Sequence, residues 1–156
     1  MTLFTKIAQR PLADIFLASE AFVLLGVFRA ALALVPVRRI LLTMTRGRGH
    51  DISTPGETPG EGQPGVLAEP ALAVARHVRW AVEAATRNSP VSFVCFPQTL
   101  AAYVMLRRRG VPSTMVYGIA RSADGELLAH TWLLAGDRTV VGGEGSAQFT
   151  PIERWS

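Results

Sequence analysis

Cysteine is almost absent from this chain: Cys95 stands alone among 156 residues. A single thiol excludes an intramolecular disulfide framework. With only three histidines, and none at metal-ligand spacing from the cysteine, a structural zinc site is not expected. Lysine is equally scarce. Lys6 is the only one, against 15 arginines. Those arginines are scattered, with one group at Arg38, Arg39, Arg46 and Arg48 and another at Arg107, Arg108 and Arg109. No aromatic residues interleave with either group to stack bases, so the net charge of +4 does not read as a nucleic-acid footprint. Long uncharged apolar runs are missing too. Glu20, Arg29, Arg38 and Arg39 interrupt the most apolar stretch, residues 15–44, so the expectation is against a membrane span. No small-residue cleavage site follows it, so it is not read as a secretory signal, and a cytoplasmic location is expected.

What is present is enough apolar sequence, 49%, to bury a sizeable core. Residues 15–44 read as one amphipathic helix, because Leu17, Ala21, Leu24, Phe28, Leu32 and Val35 recur at spacings of three and four. Asp14 sits where an N-cap would open the helix, and Pro36 should end or kink it. Phe22, Leu25 and Val27 widen the apolar surface, which raises contact with a partner or a membrane surface beside plain core packing. Residues 47–69 are rich in Gly and Pro and read as a linker or loop. The expected organisation is thus an N-terminal helical segment (1–46), that linker (47–69) and a folded core (70–156).

Within the core, residues 70–87 read as a helix. Ala71, Val74, Val78, Val82 and Ala85 share one face, and Arg76, Arg79, Glu83 and Arg87 lie largely opposite. Glu83 precedes Arg87 by four, the favourable order for a surface pair. His77 reads as a surface helix residue. Another helix runs from about residue 95 to 109. Pro97 lies in its first turn, Leu100, Tyr103, Val104 and Leu106 supply its apolar side, and Gly110 then Pro112 end it. The period then changes to two. Residues 114–120 and 127–135 read as strands, Gly136-Asp137 as a tight turn, and 139–141 as the start of a third strand. Helices followed by an antiparallel meander give an α+β class.

Two residues carry the chemistry. Cys95 falls where a helix begins, and the free N–H groups there favour an anion, hence a thiolate. The alternative is a small buried hydrophobe. His130 falls inside a strand, in Ala129-His130-Thr131-Trp132. A helix-N-terminal Cys with a His on the packed sheet is the arrangement of papain-like thiol enzymes, in which His takes the thiol proton. A third group should orient the imidazole from the next strand. A two-residue turn at Gly136-Asp137 would set His130 opposite Gly143, and a three-residue loop would set it opposite Glu144. Glu144 is therefore the best-placed carboxylate, while Asp137 reads as a turn residue. Trp132 shares the face of His130.

In order, the segments Cys95-Phe96-Pro97-Gln98-Thr99-Leu100-Ala101, Leu106-Arg107-Arg108-Arg109-Gly110-Val111-Pro112, Ala129-His130-Thr131-Trp132, Val140-Val141-Gly142-Gly143 and Phe149-Thr150-Pro151-Ile152 resemble the lasso peptide biosynthesis leader peptidases. These are the B proteins of the transglutaminase-like cysteine protease superfamily. The resemblance covers about residues 70–155. It implies a papain/transglutaminase-like core and removal of the leader from a ribosomally made precursor, ahead of ring closure by an ATP-dependent cyclase. No cofactor and no metal are expected. Its expected partners are the precursor leader peptide, a small leader-recognition protein, and the cyclase, with no nucleic acid. Cys95 matches the family nucleophile and His130 the family base. The chain departs from the pattern at the third position, where the family often has Asp and this sequence has Gly142-Gly143. Glu144, a backbone carbonyl or a water then fills that role. A non-catalytic adaptor of the same fold, binding precursor or cyclase, is the alternative reading.

Overall fold

The computed structural model describes residues 12–36, 39, 50–51, 66–90 and 94–155. Three helices pack on one side of an antiparallel sheet. Helix α1 spans Leu12–Leu34, α2 Glu69–Arg87 and α3 Cys95–Arg108. The strands are β1 (His50–Asp51), β2 (Thr114–Arg121), β3 (Leu127–Ala135), β4 (Arg138–Val141) and β5 (Thr150–Trp155). The α+β class follows directly from this arrangement. Most of the linker expected at 47–69, and residues 40–46 before it, lie outside the described residues.

Helix α3 is the centre. Leu100, Ala101, Ala102, Met105 and Leu106 are fully buried, and Pro97, Thr99 and Tyr103 nearly so. The sequence suggested one apolar side. In the structure α1, α2 and the sheet cover the helix almost all round. Its C-terminus closes as a Schellman motif. Gly110, at φ +69, donates to Arg107 O at 3.1 Å, and Val111 N donates to Leu106 O at 3.0 Å. Both bonds satisfy carbonyls that the helix leaves free, and the positive φ is the reason for glycine.

Helix α1 buries Ala21, Leu25 and Phe28, with Leu17, Leu24, Ala31 and Leu32 packed around them. It begins at Leu12, so Asp14 lies in its first turn and does not cap it. It ends before Pro36, whose missing N–H and ring cannot continue a helix. Val35 is 37% exposed rather than buried on the inner face, because the chain has already left the helix there. Glu20 accepts hydrogen bonds from Arg108 at 3.1 Å and Arg109 at 2.5 Å, tying α1 to the end of α3. By length and composition α1 is long and apolar enough to cross a membrane, although one face of it is built into the core.

Helix α2 sets Ala75, Val78, Ala81, Val82 and Ala85 into the same core. Its other side carries Arg79–Glu83 at 2.8 Å and Glu83–Arg87 at 3.7 Å. His77 is exposed on it.

The sheet order is β1-β5-β2-β3-β4. The expected meander is present as β2, β3 and β4, joined at Gly136-Asp137 with Ala135 opposite Arg138. The sequence reading stopped short of β5. That strand returns to pair with β2 on the far side, Met115 opposite Trp155 and Val116 opposite Arg154. One irregularity matters for the site. Leu134 faces Thr139, but Leu133 faces Val141, so Val140 is an extra residue on β4.

Candidate active site

Side chains alternate along β3. Thr131 turns toward α3, and His130 and Trp132 take the other side. Among the described residues, Thr99 and Thr131 are the buried polar side chains, and they meet each other. Thr99 Oγ1 donates to Cys95 O at 2.9 Å and lies 3.2 Å from Thr131 Oγ1 and 3.3 Å from Thr131 O. A buried hydroxyl is costly unless paired, so this contact fixes how α3 sits on β3. Cys95 is one turn before Thr99, and His130 is next to Thr131. The clasp therefore links the start of the thiol's helix to the imidazole's strand.

Cys95 is the first residue of α3, as the sequence predicted, and is partly exposed. No side chain caps that end, which leaves first-turn N–H groups available. His130 is half-buried. Its Nε2 lies 2.7 Å from the Gly142 carbonyl oxygen. A carbonyl only accepts, so Nε2 carries the proton, and Nδ1 is the basic nitrogen of the neutral ring. Trp132 stacks beside the imidazole at a centroid distance of 6.0 Å, and Phe149 lies at 5.0 Å. Gly118, opposite His130 on β2, makes room for that packing: a Cβ there would sit 2.8 Å from the Trp132 ring.

The register argument set His130 opposite Gly143 or Glu144 and made Glu144 the best-placed carboxylate. The structure has a backbone carbonyl there instead. With Val140 extra, a continued ladder would set Glu144 opposite His130, but β4 ends at Val141 and Gly142 turns the chain at φ +75. That turn aims the Gly142 carbonyl at the imidazole. It also demands glycine, since a Cβ at this position would collide with the Thr131 carbonyl and lie 3.0 Å from Trp132 Cα. Glu144 is exposed and makes no hydrogen bond or ion pair among the described residues.

Cys95, His130 and Glu144 nevertheless line one cleft of about 880 Å³. Gln98 borders it, as do Arg79, Glu83, Thr86 and Arg87 of α2. These α2 residues read in the sequence as an ordinary solvated face, and nothing in their pattern distinguishes a cleft wall from open surface. Cys95 and His130 are not hydrogen-bonded to each other. Catalytic contacts of this kind commonly tighten only when substrate is bound. Among the described residues, no three His, Cys, Asp or Glu side chains gather as metal ligands. The groups present suit acyl transfer: a thiol at a helix N-terminus, an imidazole with its tautomer fixed, and free backbone donors.

Comparison with known proteins agrees with that chemistry. The family model described as Transglutaminase-like superfamily matches residues 23–154. No curated protein and no solved structure matches the chain.

Proposed function

Because the chain belongs to the transglutaminase-like superfamily, which includes cysteine proteases, we propose that it is a cysteine peptidase that removes the leader from a ribosomally made lasso peptide precursor. An ATP-dependent cyclase then closes the ring. The observation that carries the peptidase reading is the hydrogen bond from His130 Nε2 to the Gly142 carbonyl. It leaves Nδ1 as base in a cleft that also holds the only thiol.

In this mechanism His130 Nδ1 takes the Cys95 proton as Sγ attacks the scissile carbonyl. The oxyanion that forms is met by the Cys95 backbone N–H, one of the first-turn donors that a helix does not use internally. The C–N bond breaks, His130 returns the proton to the leaving amine, and a thioester remains. His130 then deprotonates water, which attacks the thioester and releases the leader as an acid, with the thiol restored. The Gly142 carbonyl holds the ring and stabilises the imidazolium without a full negative charge. Glu144 lies on the rim of the same cleft.

The lasso role rests on the ordered segments around Cys95, Gly110, His130 and Gly142. It brings with it the leader peptide, a small leader-recognition protein and the cyclase as partners. A cytoplasmic location with α1 against a membrane surface fits the exposed apolar side of that helix. The test is incubation of a candidate precursor and its leader-binding partner with wild type and with Cys95→Ala, read by mass spectrometry. A cut that disappears with the thiol is expected, with cleavage down by at least about 10³-fold. Cleavage that survives in the folded variant removes Cys95 from the mechanism. The missing carboxylate on His130 favours the second reading, a non-catalytic adaptor. That reading expects no acyl-enzyme and a thiol no more reactive than free cysteine.

A further inference from the structure

Six consecutive residues, 139–144, border the cleft that holds Cys95 and His130. Side chains of a strand alternate between two faces, so neighbours in sequence line one cavity together only where the strand presents its edge. Val140 and Val141 are themselves buried, so it is their main chain that the cleft meets. Strand β4 is also the last in the sheet, paired with β3 alone, and an edge strand leaves one row of N–H and C=O groups without a ladder partner. Beyond the strand, the turn at Gly142 and Gly143 carries the chain past His130 without side chains. Across the cleft, Arg79 and Arg87 flank Glu83 at 2.8 and 3.7 Å. With Glu144 on the opposite rim, the two guanidiniums meet two carboxylates around the cleft, which gives no strong preference for a charged peptide.

We infer that the outer edge of β4 is the docking strand for the substrate. The residues on the acyl side of the cut lie extended along 139–143 and are recognised through their backbone. This rests on the peptidase reading. For a leader peptidase the acyl side is the end of the leader. Its carboxyl end must reach the imidazole that Gly142 holds, so the peptide runs parallel to β4. Recognition by strand addition depends little on side chains and uses the N–H groups of alternate residues.

The experiment uses acetyl-alanine chloromethyl ketones of one to four residues on the full chain. Sγ–C bond formation at Cys95 expels chloride, and the adduct is counted by mass spectrometry. All side chains are methyl, so any gain with length reports the main chain. The expected result is at least a tenfold rise in labelling rate from one residue to four, cancelled by N-methylation at every second residue and not at those between. Labelling that is independent of length, or equal losses at every N-methyl position, overturns the docking strand and leaves the thiol reading intact. Failure of Cys95 to react with every ketone and with iodoacetamide overturns the peptidase reading, and the docking strand with it.

Discussion

Helices α1 and α2 both lie on α3, and each buries a stripe of small and branched side chains there. They differ on the side turned away. Helix α2 presents Arg76, Arg79 and Glu83 to water, paired among themselves and with Glu69. Helix α1 presents Phe16 at 73%, Val23 at 61% and Leu34 at 84% exposure. Leaving one such side chain in water forgoes about 1.5–3 kcal/mol of burial. The inner face of a helix is dictated by the core it joins, and the outer face by whatever it meets. On α2 that is water and the rim of the cleft. On α1 the chemistry suits an apolar neighbour, in keeping with the proposed membrane contact.

Truncation on either side of α1 should separate these roles most strongly. Leu25→Ala removes a fully buried side chain and should cost about 2–5 kcal/mol in urea unfolding. Val23→Ala, two residues away on the outer face, should stay within about 0.5 kcal/mol. Equal losses would mean that α1 is not docked as described. Charge on the outer faces should then divide the helices by function. Phe16→Glu with Val23→Glu should lower flotation with anionic vesicles at least tenfold while the fold persists. Arg76→Glu with His77→Glu on α2 should leave flotation unchanged. Equal flotation of wild type and both double variants would remove α1 as the membrane contact.

The helices and three strands were legible because their periods are clean and their ends are marked by Pro36, Gly110 and Gly136-Asp137. Strand β5 was not. Its sequence carries Pro151, Glu153 and Arg154, and proline is confined to edges or irregular points of a ladder. Here Pro151 sits where the β2–β5 register shifts. Nothing local announces a strand whose partners lie so far back in the chain, from Ile119 opposite Thr150 to Met115 opposite Trp155. At the site, residue type and position picked out Cys95 and His130. The group on His130 stayed open because a backbone carbonyl has no residue type. The end of β4 at Val141 and the turn at Gly142 bring it to the imidazole in place of Glu144.

The Thr99–Thr131 clasp was silent in the sequence for a related reason: threonine is common on both helices and strands, and only packing reveals the pair. It sits on α3, the floor that α1 and α2 share. Thr99→Val keeps the shape and leaves Thr131 short of a partner, at a cost of about 1–2 kcal/mol. Cleavage should fall about tenfold as the thiol's helix loosens on the imidazole's strand. Thr99→Ser, which restores the hydroxyl, should recover most of the rate. Recovery of stability without recovery of rate would make the clasp purely structural.

The ion pairs give the finest distinction between the helices. Glu20 on α1 is only 23% exposed, and its hydrogen bond from Arg109, aided by Arg108, holds its carboxyl below the ordinary value of 4.5. A lowered carboxylate stabilises the fold above its unfolded value, and that contribution is lost as pH falls through the folded one. Glu20→Gln should therefore cost about 1 kcal/mol at neutral pH. The gap to wild type should close progressively as the pH drops below 4.5. Glu69 on α2 also makes a short pair with Arg76, 2.8 Å, but both side chains are well over half exposed. Glu69→Gln should cost no more than about 0.5 kcal/mol, and less in high salt. If Glu20→Gln proves as mild as Glu69→Gln, apolar packing alone holds α1 on α3, and the same kind of contact then governs both of its faces.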